Sequence, residues 1–393
     1  MSLASFFSPV DLSKLSYKHD DYISNMATSV TIHQGVFPDL ANNSYDIALI
    51  GVLEDRHSIR NKGTALAPDA FRKKFYQLNQ GSHLTRIVDL GNIKAGHKLS
   101  DTYVALKLIL VELITLNITP VIIGGGQDLT YAQYMAYEDL EQRVDLLVVD
   151  SRLDMGENPE GTIETTSTSY LNKIFLHEPN YLFNFSNLGY QTYFVHQDHL
   201  KVLDKLYFDA HRLGSFYGKI NLAEPIIRNA NMISFDISAV RSSDACGNAG
   251  ASPNGFYGEE ACGICRYAGM NDKLSSIGFY EFNPLCDHQD QTAALLAQMV
   301  WYFIDGFYNR KHDIPLQPKS QYITYRTSLK DSSQELVFIK SKKTDRWWMQ
   351  VPYPRGKSQN ERFHLVPCLY EDYQTAISGE MPDLWWRTHQ KLS

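Results

Sequence analysis

Short apolar runs, each about a strand long, alternate along this chain with longer stretches whose apolar positions recur at helical spacing. Tyr45–Val52 (YDIALIGV) reads as a buried strand, and Ala67–Gln77 (APDAFRKKFYQ) as a helix with Pro68 in its first turn. Arg86–Leu90 reads as the next strand, ended by Gly91. Val104, Leu108 and Val111 mark a helix over Asp101–Leu116. The β-branched run Thr119–Ile123 then stops at Gly124-Gly125-Gly126, and a helix follows from about Leu129. Asp145–Asp150 (DLLVVD) is another buried strand. After a long irregular stretch, Tyr181–Leu188, Met232–Asp236 and Ser276–Phe282 repeat the theme with helices between them, and Gln291–Phe307 is the last clear helix.

Buried strands separated by helices require right-handed crossovers and a mainly parallel sheet covered on both faces. The expected fold is therefore α/β, a three-layer α/β/α sandwich. The pattern assigns it to residues 45–310, after an N-terminal segment 1–44 with little patterning. From about Lys311 the character changes: Trp347, Trp348, Trp385 and Trp386 appear with several prolines, and runs such as Glu335–Ile339 suggest antiparallel strands. Residues 311–393 read as a small C-terminal extension, packed on the main domain or at an oligomer interface.

Composition narrows the function classes. A chain of 393 residues with 44% hydrophobic and 21% charged residues is globular, neither disordered nor fibrous. Its net charge of −7 argues against a protein whose main task is wrapping nucleic acid. No window approaches the roughly 18 uninterrupted apolar residues of a membrane span, and MSLASFFSPVDLSK lacks the basic-then-apolar pattern of an export signal. These readings lead us to expect a cytoplasmic protein without a membrane partner. Cys246, Cys262, Cys265, Cys286 and Cys368 read as free thiols.

In parallel sheets ligands bind beyond the carboxyl ends of the strands. Those ends carry Gly124-Gly125-Gly126-Gln127-Asp128, Asp150-Ser151-Arg152-Leu153-Asp154, Asp236-Ile237-Ser238 and Glu281-Phe282-Asn283-Pro284. Several carboxylates are thus expected on one rim, where they repel one another unless a metal, a basic partner or protonation balances them. Each piece alone has a plainer reading: the glycines as a tight turn without the Lys-Ser/Thr of a P-loop, Asp150 and Asp154 as helix caps or solvated acids.

Together these residues resemble the ureohydrolase superfamily of arginases, agmatinases and formimidoylglutamases. The resemblance runs in order through Gly51 with Ala67, Pro68 and Arg72, Asp89–Ile93 (DLGNI), Gly124–Asp128, Asp150–Asp154, Ser234–Ser238, Glu281–Pro284 and Asp290–Ala297. It implies the parallel sandwich, an oligomer, and a binuclear manganese centre held by a His after the glycines, an Asp-x-His-x-Asp motif and an Asp-x-Asp motif. Asp150, Asp154 and Asp236 match metal positions. Gln127 and Arg152 replace the two histidines, and Ser238 replaces the last Asp. Gln127 retains an amide oxygen for a hard cation, and Ser238 is at best a weak neutral ligand. A guanidinium cannot deprotonate, so Arg152 cannot ligate manganese. It is expected instead to balance the carboxylates through bidentate hydrogen bonds. Glu281 matches the family position that contacts substrate, and the loop after Asp236 reads Arg241–Gly247 (RSSDACG), unlike that of active members.

Two functional readings follow. In the first, no cofactor is needed: the chain is a pseudoenzyme that binds a small guanidino- or formimino-type molecule through Gln127, Arg152, Ser238 and Glu281, in a ligand-binding or regulatory role. In the second, Asp150, Asp154 and Asp236 hold one manganese or other divalent ion, with Gln127 as a further ligand, and the chain hydrolyses linear amidine C–N bonds with Asp154 and Glu281 as catalytic candidates. Other chemistry is open to Cys262-Gly263-Ile264-Cys265 as a thiol or zinc site with Cys246 and Cys286, and to His177, His196 and His199 as a base or ligands. The plainer alternatives are buried thiols and structural or surface histidines. Lys340, Lys342, Lys343, Arg346, Arg355, Lys357 and Arg362 near Trp347, Trp348, Tyr353 and Phe363 could in principle bind single strands. A solvated hairpin with packed aromatics is the preferred reading, and nucleic acid is not an expected partner.

Overall fold

The computed structural model describes residues 3–15, 24–82, 86–156, 165–315, 319–329, 335–353 and 363–393. Arg355, Lys357 and Arg362 lie outside the described residues. The main sheet is built from β1 (Phe7–Ser8), β2 (Thr31–Ile32), β3 (Ile47–Val52), β4 (Ile87–Ile93), β5 (Thr119–Ile123), β6 (Val144–Val149), β7 (Leu182–Tyr190), β8 (Asp209–Arg212), β9 (Met232–Asp236) and β10 (Ser276–Tyr280). Their order is β1-β4-β3-β5-β10-β9-β6-β7-β8, with β2 also paired to β4. Every pairing is parallel except that of β1 with β4. The expected α/β sandwich is the observed one.

The helices are α1 (Met26–Ser29), α2 (Ala67–Phe75), α3 (Leu99–Thr115), α4 (Leu129–Asp139), α5 (Tyr170–Phe175), α6 (Gln197–Lys205), α7 (Glu224–Asn229), α8 (Gly258–Gly269), α9 (Gln291–Tyr308), α10 (Tyr370–Ile377) and α11 (Asp383–Leu392). Alternating side chains of each strand enter opposite cores. Ile47 and Leu49 of β3 join Phe71 of α2 and Leu296 of α9 on one face. Ala48, Ile50 and Val52 join Leu106 of α3 and Tyr134 of α4 on the other. That is why the strands read as continuous apolar runs.

Two sequence expectations change here. Val104 and Leu108 lie on the outward face of α3, 48% and 39% exposed, while Tyr103, Leu106, Leu110 and Leu113 face the core. The helix spacing was right and the buried face was not, because α3 has apolar residues on both faces. Strand β4 also runs past Gly91 to Ile93. Gly91 has a positive φ of 87° and is anchored by Asp89, whose Oδ1 accepts its N–H at 2.9 Å. Arg72 of α2 secures the same turn. Its Nε and Nη2 donate to the two oxygens of Asp89, both at 2.8 Å, and Nη2 also donates to the Gly91 carbonyl at 3.0 Å. Nη1 reaches Asn92 Oδ1 at 2.5 Å, and the Tyr76 hydroxyl donates to Asp89 at 2.8 Å.

Beyond residue 310, β11 (Tyr322–Ser328), β12 (Glu335–Ser341), β13 (Trp347–Pro352) and β14 (Phe363–Cys368) form a second, antiparallel sheet in that order. Phe338, Trp347, Met349, Val366 and Trp385 share a separate small core. Trp347 packs in a triangle with Tyr325 and Tyr373, its ring centroid 5.0 and 5.2 Å from theirs and theirs 5.2 Å apart, so the ring is engaged by protein. This sheet and its helices meet the main fold through charge. The Arg228 guanidinium lies 4.4 Å from the Trp348 ring centroid, Arg346 pairs with Glu224 at 3.0 Å, and Arg387 pairs with Asp209 at 3.1 Å. No helix among the described residues is long and apolar enough to cross a membrane.

The buried Arg72–Asp89 pair gives a stability prediction. Arg72→Met leaves Asp89 with an uncompensated buried charge and should lower unfolding free energy by about 3–5 kcal/mol, read from urea titration. Adding Asp89→Leu should recover a large part of that loss. A double variant no more stable than the single would refute the charge argument.

Candidate functional site

The carboxyl ends of β5, β6, β9 and β10 meet as the topology requires. Asp150 follows β6, Asp154 sits in the loop beyond it, Asp236 ends β9 and Glu281 follows β10. Asp150, Asp154 and Asp236 are buried, and each offers a carboxylate oxygen within 4.8 Å of the others. Burial, the largest cause, pushes all three pKa values well above the usual carboxylate range; the next causes are Asp154 acting on Asp150, Asp236 on Asp154, and Asp150 on Asp236. Each carboxylate thus raises the cost of charging its neighbours.

Gln127, in the turn after β5, lies among them. The carboxamide orientation that satisfies its surroundings places the amide nitrogen 3.0 Å from Asp154 Oδ2 and 3.0 Å from Asp236 Oδ2, donating to both. Its oxygen accepts from the Tyr170 hydroxyl at 3.1 Å. The turn that delivers Gln127 needs glycine: Gly125 has φ 84°, and a Cβ there would come within 2.7 Å of the Glu54 carbonyl oxygen. The other replaced positions contribute backbone bonds. The Ser238 N–H donates to Asp236 Oδ1 at 2.6 Å, and the Arg152 N–H donates to Asp150 Oδ1 at 2.9 Å.

The side chain of Arg152 corrects the sequence expectation. Its guanidinium makes no bidentate bond to Asp150 or Asp154; it lies over Phe194, 4.1 Å from the ring centroid. Its charge still favours the ionised carboxylates, but only as a minor contribution behind burial and the neighbouring acids. Stacking wins because the loop after β7 brings an aromatic face to a cation that attracts it by roughly 0.5–2 kcal/mol. Nothing in the local sequence around Arg152 announces Phe194.

Glu281 is held in a conformation few non-glycine residues adopt, with φ 62°. Its N–H donates to the Gly125 carbonyl at 3.0 Å, while Asn61 and Asn248 donate to its own carbonyl at 2.9 and 2.8 Å. The carboxylate accepts from Ser58 at 2.9 and 3.0 Å, from Asn61 at 2.7 Å and from the Gln127 N–H at 3.0 Å. Burial raises its pKa and these donors pull it back. Asp154, Asp236, Ser238 and Glu281 share a cavity of about 650 Å³ with Arg60 and Arg152. Acids and arginines thus line one pocket.

Asp128, grouped with the rim acids by sequence, faces Tyr103, whose hydroxyl donates to its Oδ2 at 2.6 Å; burial pushes its pKa up to about 7. Cys262 and Cys265 are buried on α8, Cys286 is exposed, and all five thiols are free. Among the described residues no metal-type cluster includes a cysteine. His177 is engaged by the Tyr131 hydroxyl at 3.0 Å and Glu138 at 2.9 Å, and His196 caps α6, which also carries His199. Sequence reasoning missed Ser58, Asn61, Tyr170, Phe194 and Asn248. All except Tyr170 lie in loops or single-turn segments, where periodicity carries no signal.

The arginase family model matches residues 45–305. A formimidoylglutamase of Staphylococcus aureus strain MRSA252 is 26% identical over 276 residues, spanning 66% of this chain and 85% of that protein. The solved Bacillus subtilis formimidoylglutamase superposes with a TM-score of 0.67 at 19% identity, covering 75% of this chain and 96% of that one. A Trypanosoma cruzi formiminoglutamase solved with Mn2+ gives 0.63 at 23% identity, covering 70% and 100%. At these identities the structural matches speak to fold.

The crowding of acids predicts an inverted mutational effect. In the presence of a chelator at pH 7, Asp154→Asn should raise stability by about 1 kcal/mol or more in urea unfolding, because a carboxyl whose pKa is raised on burial must either take up a proton or carry a buried charge when the chain folds, and the amide does neither. A clear loss of stability would mean that the charges are balanced by something other than protons and the Gln127 amide.

Proposed function

Since the chain belongs to the arginase family, we propose that it is a formimidoylglutamase-like protein that binds a small guanidino- or formimino-type cation at this carboxylate cluster, without a binuclear manganese centre. The reading rests on Gln127: with no ion at the cluster, the amide orientation that makes the most hydrogen bonds gives its N–H groups to Asp154 and Asp236, so a donor stands where the family has a metal ligand. An amidinium is a planar cation rich in N–H groups, so it suits a pocket with acceptors at Asp154, Asp236 and Glu281. Arg60 and Arg152 line the same cavity and suit an anionic group at the other end of such a ligand.

The donor set fits the metal centre that the fold implies only in part. Three buried carboxylates converging within 4.8 Å suit one hard divalent ion. They do not suit two, because position 152 carries a permanent cation and positions 127 and 238 carry neutral groups. A single ion held by Asp150, Asp154 and Asp236 would supply Lewis-acid polarisation of the amidine and of water. In that second reading Glu281 binds and orients the amidine while Ser58 and Asn61 keep its carboxylate in place. The convergence of the three acids is the observation that favours it, and with it hydrolysis of a linear amidine C–N bond.

Metal content per chain separates the two. Plasma mass spectrometry after chelator-free purification, and again after manganese loading and desalting, should find close to no retained metal. About one tightly held ion would establish the second reading, and two would sink both. Gln127→His, Arg152→His and Ser238→Asp together should restore manganese binding if only ligands are missing.

Ligand binding gives a second prediction. Calorimetric titration with agmatine, arginine and formimidoylglutamate should detect binding by at least one. Glu281→Gln should weaken it roughly 10- to 100-fold, the effect of losing one charge-assisted bond of about 1.5–3 kcal/mol. Affinity unchanged by that substitution would remove Glu281 from the site.

A further inference from the structure

A second cavity, of about 360 Å³, lies at the seam between the main sheet and the C-terminal segment. It shares no lining residue with the carboxylate pocket. One wall comes from β7, β8 and α7, and the other from β14, α10 and α11, beyond the stretch matched by the arginase family model. Its volume is near the lower end of the roughly 300–1,000 Å³ range of small-molecule sites. Phe183, Phe216, Ile226, Val366 and Leu384 supply an apolar lining.

The charges around it are unequally engaged. Arg387 is taken up by Asp204, Asp209, Asp383 and the Phe208 carbonyl. Lys391 bonds to Asn184 and lies 3.6 Å from Asp209. The lining arginine and lysine are therefore already paired. Asp372 is not: one oxygen accepts the Leu369 N–H at 2.8 Å, and no cation among the described residues pairs with it. Burial, its largest cause, raises the Asp372 pKa, with Glu371 adding to the rise. His211 also lines the cavity, and among the described residues neither ring nitrogen has a hydrogen-bond partner; its only ring neighbour is Phe216, at 6.3 Å. Burial lowers its pKa, so it stands as a neutral imidazole able to accept a hydrogen bond.

We propose that this seam is a second small-molecule site, for an organic cation with an apolar body. The ammonium or amidinium pairs with Asp372 and donates to His211, while the body rests on Phe183, Phe216, Ile226 and Leu384. A carboxylate ligand is disfavoured because it would face the unpaired Asp372 and find the arginine and lysine occupied. The site uses residues of the C-terminal segment and so gives that segment a task separate from the carboxylate cluster.

The test is calorimetric titration of the full chain with benzamidinium chloride, and with sodium benzoate as the matched anion. Benzamidinium can also enter the carboxylate pocket, so the titration is repeated in Glu281→Gln. One binding event should persist in Glu281→Gln, weaken at least tenfold in Asp372→Asn, and vanish in Leu384→Trp, which fills the cavity. The carboxamide introduced by Asp372→Asn keeps an oxygen for the Leu369 N–H, so this variant is expected to fold and melt as the parent does. The proposal is overturned if benzamidinium binding is unaffected by Asp372→Asn, if it is lost entirely in Glu281→Gln, or if benzoate binds as tightly. Absence of binding at the carboxylate pocket would count against the proposed function and leave the seam result readable.

Discussion

The balance of negative charge beyond the carboxyl ends of β5, β6, β9 and β10 governs this molecule's chemistry. Parallel topology brings Asp150, Asp154, Asp236 and Glu281 to one place, and burial strips away the water that would otherwise screen them. Such a cluster persists only if protons, donors or cations neutralise it. The contrast with Asp89 is instructive. That acid is equally buried, but Arg72 pairs with it through two bonds and Tyr76 adds a third, so its charge is satisfied within the fold. The aspartates of the rim have Gln127, two backbone N–H groups and a distant arginine stacked on Phe194. An acid fully satisfied by its own chain is structural; the incomplete satisfaction of the rim aspartates is what supports the ligand site proposed above.

Glu281, unlike the rim aspartates, has its donors supplied by the scaffold. A left-handed backbone costs a non-glycine residue on the order of 1 kcal/mol or more, and it persists only where surrounding bonds over-determine it. Asn61 bonds to both the carbonyl and the carboxylate of Glu281, Asn248 holds the carbonyl, and Ser58 and the Gln127 N–H hold the carboxylate. The same Gln127 residue thereby anchors Glu281 through its backbone and the aspartates through its side chain. A side-chain change at position 127 would disturb the aspartates while keeping the N–H that holds Glu281.

How far the sequence disclosed this follows from the kind of signal each feature leaves. Fully buried strands such as Val144–Val149 and Met232–Asp236 leave continuous apolar runs, so the sheet and its rim were legible. Helix α3 was legible as a helix, yet its orientation was not, since Val104 and Leu108 are apolar and face outward. The extent of β4 was obscured because Gly91, which looks like a stop, is carried through the strand by bonds from Asp89 and Arg72. The rim acids could be named from strand ends, but their partners could not. Ser58, Asn61 and Asn248 come from loops distant in sequence, and whether Arg152 would meet a carboxylate or an aromatic ring depended on where Phe194 was placed.

Tyr170 bears on both readings of the site. A metal bound at position 127 would need the amide oxygen directed at the aspartates. With no ion at the cluster, the amide orientation that makes the most hydrogen bonds lets Tyr170 donate to that oxygen and directs the nitrogen at Asp154 and Asp236. Burial and the neighbouring acids raise the Tyr170 pKa well above its usual value, so the hydroxyl keeps its proton and remains a donor. Reversing the amide would break that bond and bring its oxygen to the two acids, where a proton on one of them or a cation between them would have to meet it. From that orientation, an ion that used the amide oxygen would have to offset the lost Tyr170 and Gln127 bonds with what it gains from the aspartates. An amidinium need not reverse the amide at all, since it brings its own donors to the acceptor positions that Gln127 leaves unused. In the function proposed above, that asymmetry is what supports an organic cation at this cluster.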